Sequence, residues 1–128
     1  MFSRKKSDLL IASIDEKRRD SFRVEPSSRE PIHVSIGRKR FQVKNIGAGG
    51  IGIYRRGGDN GLEVGGEYSF KMTLPLINEV ISGIIRIIDV SDRVYNCIFI
   101  GLGKEEMEKL HLFVLERQKE ELREKKKA

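Results

Sequence analysis

Apolar and polar positions alternate along most of this chain, and the period of that alternation divides it into segments. At the start, Leu9, Leu10, Ile11 and Ile14 follow Ser7-Asp8, which suits either a short capped helix or an arm that orders only in part. From Pro31 the period is two. Ile32, Val34 and Ile36 alternate with His33 and Ser35, Gly37-Arg38 turns the chain, and Phe41 and Val43 alternate with Gln42 and Lys44. Ile51 and Ile53 continue the pattern after a glycine-rich stretch. Tyr68, Phe70, Met72 and Leu74 alternate with Ser69, Lys71 and Thr73 until Pro75 stops that strand. Val80 to Val90 is isoleucine-rich and long enough for a central bent strand, with Gly83 at the point of curvature. Ser91-Asp92-Arg93 then turns into Val94 to Ile100. Six consecutive strands joined mostly by short turns predict antiparallel neighbours closed into a small barrel or sandwich. Nothing between them has the period of a crossover helix, so the pattern argues against a parallel α/β sheet.

The ending is of another kind. Met107, Leu110, Phe113 and Val114 form one helical stripe, Glu105 and Glu106 occupy the first turn, and Lys125-Lys126-Lys127 close the run. Each feature suits a helix and its dipole. The stripe is expected to lie on the barrel. Leu112 and Leu115 widen the apolar face, so the expectation is a monomer or a weak homodimer. The charged end past Leu122 is expected to fray. The predicted organisation is therefore an N-terminal arm or short helix over 1–16, a β-barrel domain with the start of the helix over 17–117, and a charged helical tail over 118–128.

Composition narrows the chemistry. The 128 residues suffice for one core. A net charge of +6 admits a nucleotide, nucleic acid or anionic membrane as partner. Arg4-Lys5-Lys6 and Lys125-Lys126-Lys127 put six positive charges in the tails, away from any required site. The one cysteine, Cys97, alternates with large apolar residues and reads as core filling; with only His33 and His111 beside it there is no metal-ligand spacing and no internal disulfide. His33 falls on the polar face of its strand and reads as a solvated histidine. No apolar run approaches ~18 residues and no signal-peptide pattern is present, so the expectation is a cytoplasmic protein without membrane insertion. No nucleophile–base pair can be assembled, so no catalytic residue, cofactor or enzymatic activity is expected. A small basic barrel binding RNA or single-stranded DNA would need exposed aromatics. Aromatics are only 7% with no tryptophan, which argues against that alternative.

Two segments remain that carry chemistry. One is the turn Asn45-Ile46-Gly47-Ala48-Gly49-Gly50, whose glycines permit unusual backbone angles and leave amide groups open to an anion. By itself it also fits a tight hairpin turn with nothing bound. The other is Lys17-Arg18-Arg19-Asp20-Ser21-Phe22-Arg23. In an extended chain, which Pro26 favours, Arg19 and Arg23 point to one side with about 13 Å between Cα atoms. Arg18 lies on the other side unless the backbone turns. A guanidinium donates in pairs to the O6/N7 edge of guanine or to two phosphate oxygens. Asn45 offers both donor and acceptor to a purine edge. Together these groups ask for something compact, anionic and guanine-bearing. The further glycine-rich segment Arg55 to Gly61 reads as a solvated loop.

Arg19-x-x-x-Arg23 followed by Asn45-x-Gly47-x-x-Gly50 resembles the paired signature of the PilZ domain family, RxxxR and (D/N)xSxxG. The similarity extends through Val24-Glu25-Pro26, Gly49-Gly50-Ile51-Gly52-Ile53, Val64-Gly65-Gly66, Leu74-Pro75, Ser82 to Arg86 and Ile98 to Gly101, covering roughly 17–117. The resemblance implies a six-stranded antiparallel β-barrel that binds cyclic di-GMP, a bacterial second messenger. It implies that Arg19 and Arg23 bind guanine edges and phosphates, that Asn45 binds a guanine, and that Gly50 permits close approach. Arg18 resembles the extra arginine with which some members hold two ligand molecules. The family's serine is Gly47 here, so a hydroxyl contact is missing and weaker binding is expected. Output would pass through an unidentified effector protein. The alternative within the resemblance is a degenerate member that binds protein and no nucleotide.

Overall fold

The computed structural model describes residues 23–55, 61–91 and 93–127. The expected N-terminal helix or arm, Arg18, Arg19, the loop residues 56–60 and Asp92 lie outside them. Among the described residues seven strands are followed by one helix: β1 (Arg23–Val24), β2 (His33–Ile36), β3 (Lys39–Gly47), β4 (Gly50–Tyr54), β5 (Glu67–Leu74), β6 (Glu79–Ser91), β7 (Val94–Gly101) and α1 (Lys104–Lys127). Every pairing is antiparallel. The order β3-β2-β5-β6-β7-β4 closes through the β3–β4 pairing into a six-stranded barrel, with β1 added beside β3.

The period-two pattern accounts for this closure. In β5, Phe70, Met72 and Leu74 are buried while Glu67, Ser69, Lys71 and Thr73 lie exposed on the other face. Ile81, Ile85 and Ile87 of β6 are fully buried in the same core. Phe41 and Tyr95 meet edge-on with ring centroids 6.4 Å apart. Strand β6 is the long central strand expected, paired without interruption to β5 from Glu67↔Arg86 to Leu74↔Glu79. Against β7 it carries two register shifts, at Ile84/Ile85 and Ile87/Asp89, which bend it round the barrel. Gly83 belongs to that bend, since a Cβ there would run into the Gly101 carbonyl oxygen.

The glycine-rich stretch departs from expectation. β3 continues through Asn45, Ile46 and Gly47, so the turn shrinks to Ala48-Gly49. One residue is accommodated as an irregularity between Val43 and Asn45, after which Asn45 pairs with Gly52 and Ile46 with Ile51. Among the described residues the glycines with left-handed φ are Gly37, Gly61 and Gly65, and none of Gly47, Gly49, Gly50 or Gly52 is among them. Close approach, rather than an unusual φ, is what Gly50 and Gly52 require.

Helix α1 packs on β6, β1 and β3, placing Leu110 and Phe113 in the barrel core with Val114 against it. It runs to Lys127 instead of fraying beyond Leu122. A contributing cause is Arg117, which is 6% exposed. Its Nε donates to the Glu25 carbonyl oxygen at 2.6 Å, Nη1 reaches Glu120 at 2.8 Å and Glu124 at 3.4 Å, and Nη2 lies 3.9 Å from Glu121. These carboxylates sit three, four and seven residues on, so they can meet Arg117 only while the last turns stay helical. Among the described residues no helix is long and apolar enough to cross a membrane, and no cluster of three or more His, Cys, Asp or Glu could hold a metal ion.

Arg117→Ala should lower the unfolding free energy by about 1–3 kcal/mol in a urea titration, because the packing of a buried guanidinium is lost and the Glu25 carbonyl and three carboxylates lose their partner. Arg117→Lys should recover only part of that loss. A change within ~0.5 kcal/mol would show that the cluster is no more than an exposed ion pair.

Candidate functional site

The barrel brings Arg23 and Asn45 together. β1 pairs with β3 in the register Arg23↔Gly47 and Val24↔Ile46, which fixes the Arg23 backbone opposite the second half of the glycine motif. Arg23 Nη1 then donates to Asn45 Oδ1 at 2.9 Å, across 22 residues of sequence. Two glycines make room for this pair. A Cβ on Gly50 would meet the Cys97 carbonyl oxygen and stand 3.0 Å from both Arg23 Nη2 and the Ile98 Cα. A Cβ on Gly52 would stand 2.8 Å from Asn45 Oδ1. Gly50 therefore forms a floor beneath the guanidinium, and Gly52 one beneath the amide.

The electrostatics follow from burial. Desolvation lowers the Arg23 pKa from its ordinary value, with Cys97 acting in the opposite sense. The Cys97 thiol, fully buried, is pushed up to about 12 by desolvation; Arg23 opposes that shift and Asp89 adds to it. Cys97 is thus a neutral core side chain, as its alternation suggested, and its carbonyl forms part of the site wall.

Of the six residues the sequence assigned to the site, Arg23, Asn45, Gly47 and Gly50 are gathered at one edge of the barrel, while Arg18 and Arg19 lie outside the described residues. Beside this edge opens a cavity of about 870 Å³ that Arg23, Ala48 and Gly49 line together with apolar residues of β6, β7 and α1. Ile88 and Ile100 are 44% and 38% exposed in it, with Ile98, Leu102 and Met107 nearby. Sequence reasoning missed this wall. The available signal was the unbroken apolar run Ile98-Phe99-Ile100, in which one of two alternating faces must point outward. A guanidinium, an amide and turn amides above an apolar wall can accept a flat polar ring bearing an anionic group.

No family model matches the sequence, and no curated protein matches it. Solved structures do. The PilZ domain of YcgR from Escherichia coli, solved with c-di-GMP, superposes with TM-score 0.71 at 15% identity, over 87% of this chain and 99% of that one. Full YcgR from Escherichia coli in complex with c-di-GMP gives TM-score 0.63 at 19% identity, over 84% of this chain and 50% of that one. The Bacillus subtilis inhibitor of motility MotI/DgrA gives 0.69 at 19% identity, over 79% of this chain and 51% of that one. The chain spans about half the length of these two larger proteins and nearly all of the isolated domain. It has the fold of a PilZ domain.

Two outcomes follow from the packing. Gly50→Ala should destabilise the fold by about 1–3 kcal/mol in denaturant unfolding, because the wall it would strike is backbone. The Cys97 thiol, ordinarily near 9.0 and held at about 12 in the fold, contributes stability that is fully present below pH ~9 and lost as pH rises toward 12, at up to ~1.4 kcal/mol per unit. The stability difference between wild type and Cys97→Ala should therefore be flat below pH ~8.5 and shrink above it. A difference unchanged at pH ~10 would mean that the thiol ionises freely in the native state.

Proposed function

We propose that this chain is a receptor for cyclic di-GMP that acts without catalysis, in the cytoplasm, through an effector protein. The observation that carries this reading is the hydrogen-bonded pair Arg23–Asn45, which joins the second arginine of the RxxxR motif to the first residue of the glycine motif. Arg23 carries five N–H donors and among the described residues gives one to Asn45, which leaves others for a guanine edge or a phosphate. Because both side chains are already oriented, little rotamer entropy is lost at this half of the site on binding. Arg19 and Arg18 would complete it from the segment preceding β1, with Arg19 matching the first motif arginine and Arg18 available for a second ligand molecule. The cavity beside Ala48-Gly49 offers apolar surface against which a purine can lie. The likeness to PilZ domains solved with c-di-GMP supports the same ligand.

Gly47 favours the second reading, a protein-binding module of the same fold without nucleotide. It replaces the motif's serine, and it is buried opposite Arg23. The loss of one hydroxyl contact weakens binding by a fewfold to about a hundredfold and leaves the arginine contacts untouched.

Calorimetry separates the two. Cyclic di-GMP should bind the wild type, with affinity reduced about ten- to a hundredfold in Arg19→Ala and in Arg23→Ala, and a smaller loss in Asn45→Ala. Gly47→Ser should tighten binding a fewfold. Equal heats for wild type and both arginine variants would reject the receptor reading. Saturating ligand with no rise in Tm would favour the module.

A further inference from the structure

The outer face of β2 and β5, with Arg40 near the start of β3, is set off from the Arg23–Asn45 pair along the strands: Arg40 and Asn45 are five residues apart on β3, roughly 17 Å. On it Ser35 pairs with Arg40 on one side and with Lys71 on the other, which sets two cations in a row about 10 Å apart with a hydroxyl between them. With His33, Thr73 and Asn78 they line a shallow cavity of about 490 Å³. Its titratable lining groups, His33, Arg40 and Lys71, are all basic, and no carboxylate lines it among the described residues. Arg86, Lys109, Arg117 and Lys119 each have a carboxylate partner, whereas Arg40 and Lys71 have none among the described residues.

The rim adds a second, independent observation. The β5–β6 turn passes from Pro75 to Asn78, both lining the cavity, and holds Leu76 at φ 71°, a conformation that branched side chains rarely adopt. Leu76 is 38% exposed, so burial of its side chain does not account for that conformation. Two unpaired cations in a concavity beside a strained, outward leucine call for carboxylates accompanied by one apolar side chain.

We propose that this face docks an acidic segment of a partner protein, with carboxylates on Arg40 and Lys71 and an apolar residue against Leu76 and Pro75. A guanidinium takes a carboxylate in bidentate fashion, and the ammonium of Lys71 serves as a point charge beside it. No phenylalanine or tyrosine lines the cavity, so a single-stranded nucleic acid finds no stacking platform there. One rim leucine is too little apolar surface to enter a bilayer. The assignment does not depend on cyclic di-GMP.

Isotope-labelled full chain titrated with a synthetic peptide of Glu and Asp around a central Leu tests it by NMR. Amide shifts should move at Ser35, Arg40, Lys71 and Thr73, and binding should weaken as salt rises past ~0.1 M. The double variant Arg40→Glu/Lys71→Glu should bind roughly tenfold more weakly. Leu76→Gly, which relieves the backbone, should also weaken binding while leaving the charge alone. Unmoved amides on this face, equal affinity in the double variant, or tighter binding here of an oligothymidylate of equal charge or of phosphatidylglycerol vesicles would overturn the assignment.

Discussion

A hydrogen bond from a half-buried guanidinium, Arg23 Nη1 to Asn45 Oδ1 at 2.9 Å, is the constraint round which this edge of the barrel is arranged. The bond needs β1 in register with β3, and it needs two strand positions with no side chain at all. A larger residue at Gly50 would strike the Cys97 carbonyl and crowd Arg23, and one at Gly52 would crowd Asn45. Arginine tolerates the burial because it keeps its charge even when desolvation lowers its pKa. A lysine here would have one strongly hydrated ammonium and no second arm to offer a ligand.

The barrel was legible because its physics is periodic. Inward positions at every second residue, with Gly37 turning β2 into β3, are written directly in the chain, and β5 and β6 needed nothing more. The glycine motif suggested unusual backbone angles and open amides for an anion, whereas Gly50 and Gly52 have ordinary φ and make room for the protein's own neighbouring atoms. Composition cannot separate those uses, since both ask for a missing Cβ. What distinguishes them is which atoms lie across the strand, here Cys97 and Asn45, and that is a property of register. The site's apolar wall was hidden for a similar reason. Ile88 faces outward in step with Ile84 while Ile85 and Ile87 face the core, and an isoleucine-rich run does not show by itself which of its two faces is buried.

The C-terminal helix shows the opposite kind of omission. Its apolar stripe was plain, and Leu110 and Phe113 are where that stripe predicts. The charged run after it suggested a solvated tail, yet Arg117 is more buried than most of the barrel's polar residues. The spacing of Glu120, Glu121 and Glu124 from Arg117 was visible, but a helical face of alternating charge ordinarily means a solvent-exposed one. The Glu25 carbonyl, contributed from 92 residues away, is what draws the guanidinium inward, and no local pattern encodes it.

That same contact joins the two ends of the described fold. From Asn45 a hydrogen bond leads to Arg23, the chain runs through Val24 to Glu25, and a second hydrogen bond leads from Glu25 to Arg117 on the helix. Each step is a direct bond, covalent or hydrogen, so a shift of β1 along its ladder cannot leave Arg117 unaffected. For a receptor of the kind proposed, ligand contact with Arg23 would act on a strand only two residues long that is held on one side by Asn45 and on the other by the helix. So short a strand contributes few ladder hydrogen bonds of its own. Its position rests on Val24 in the core and on the contacts made by Arg23 and Arg117, so in such a receptor it would be the element that couples occupancy of the site to the seating of the helix.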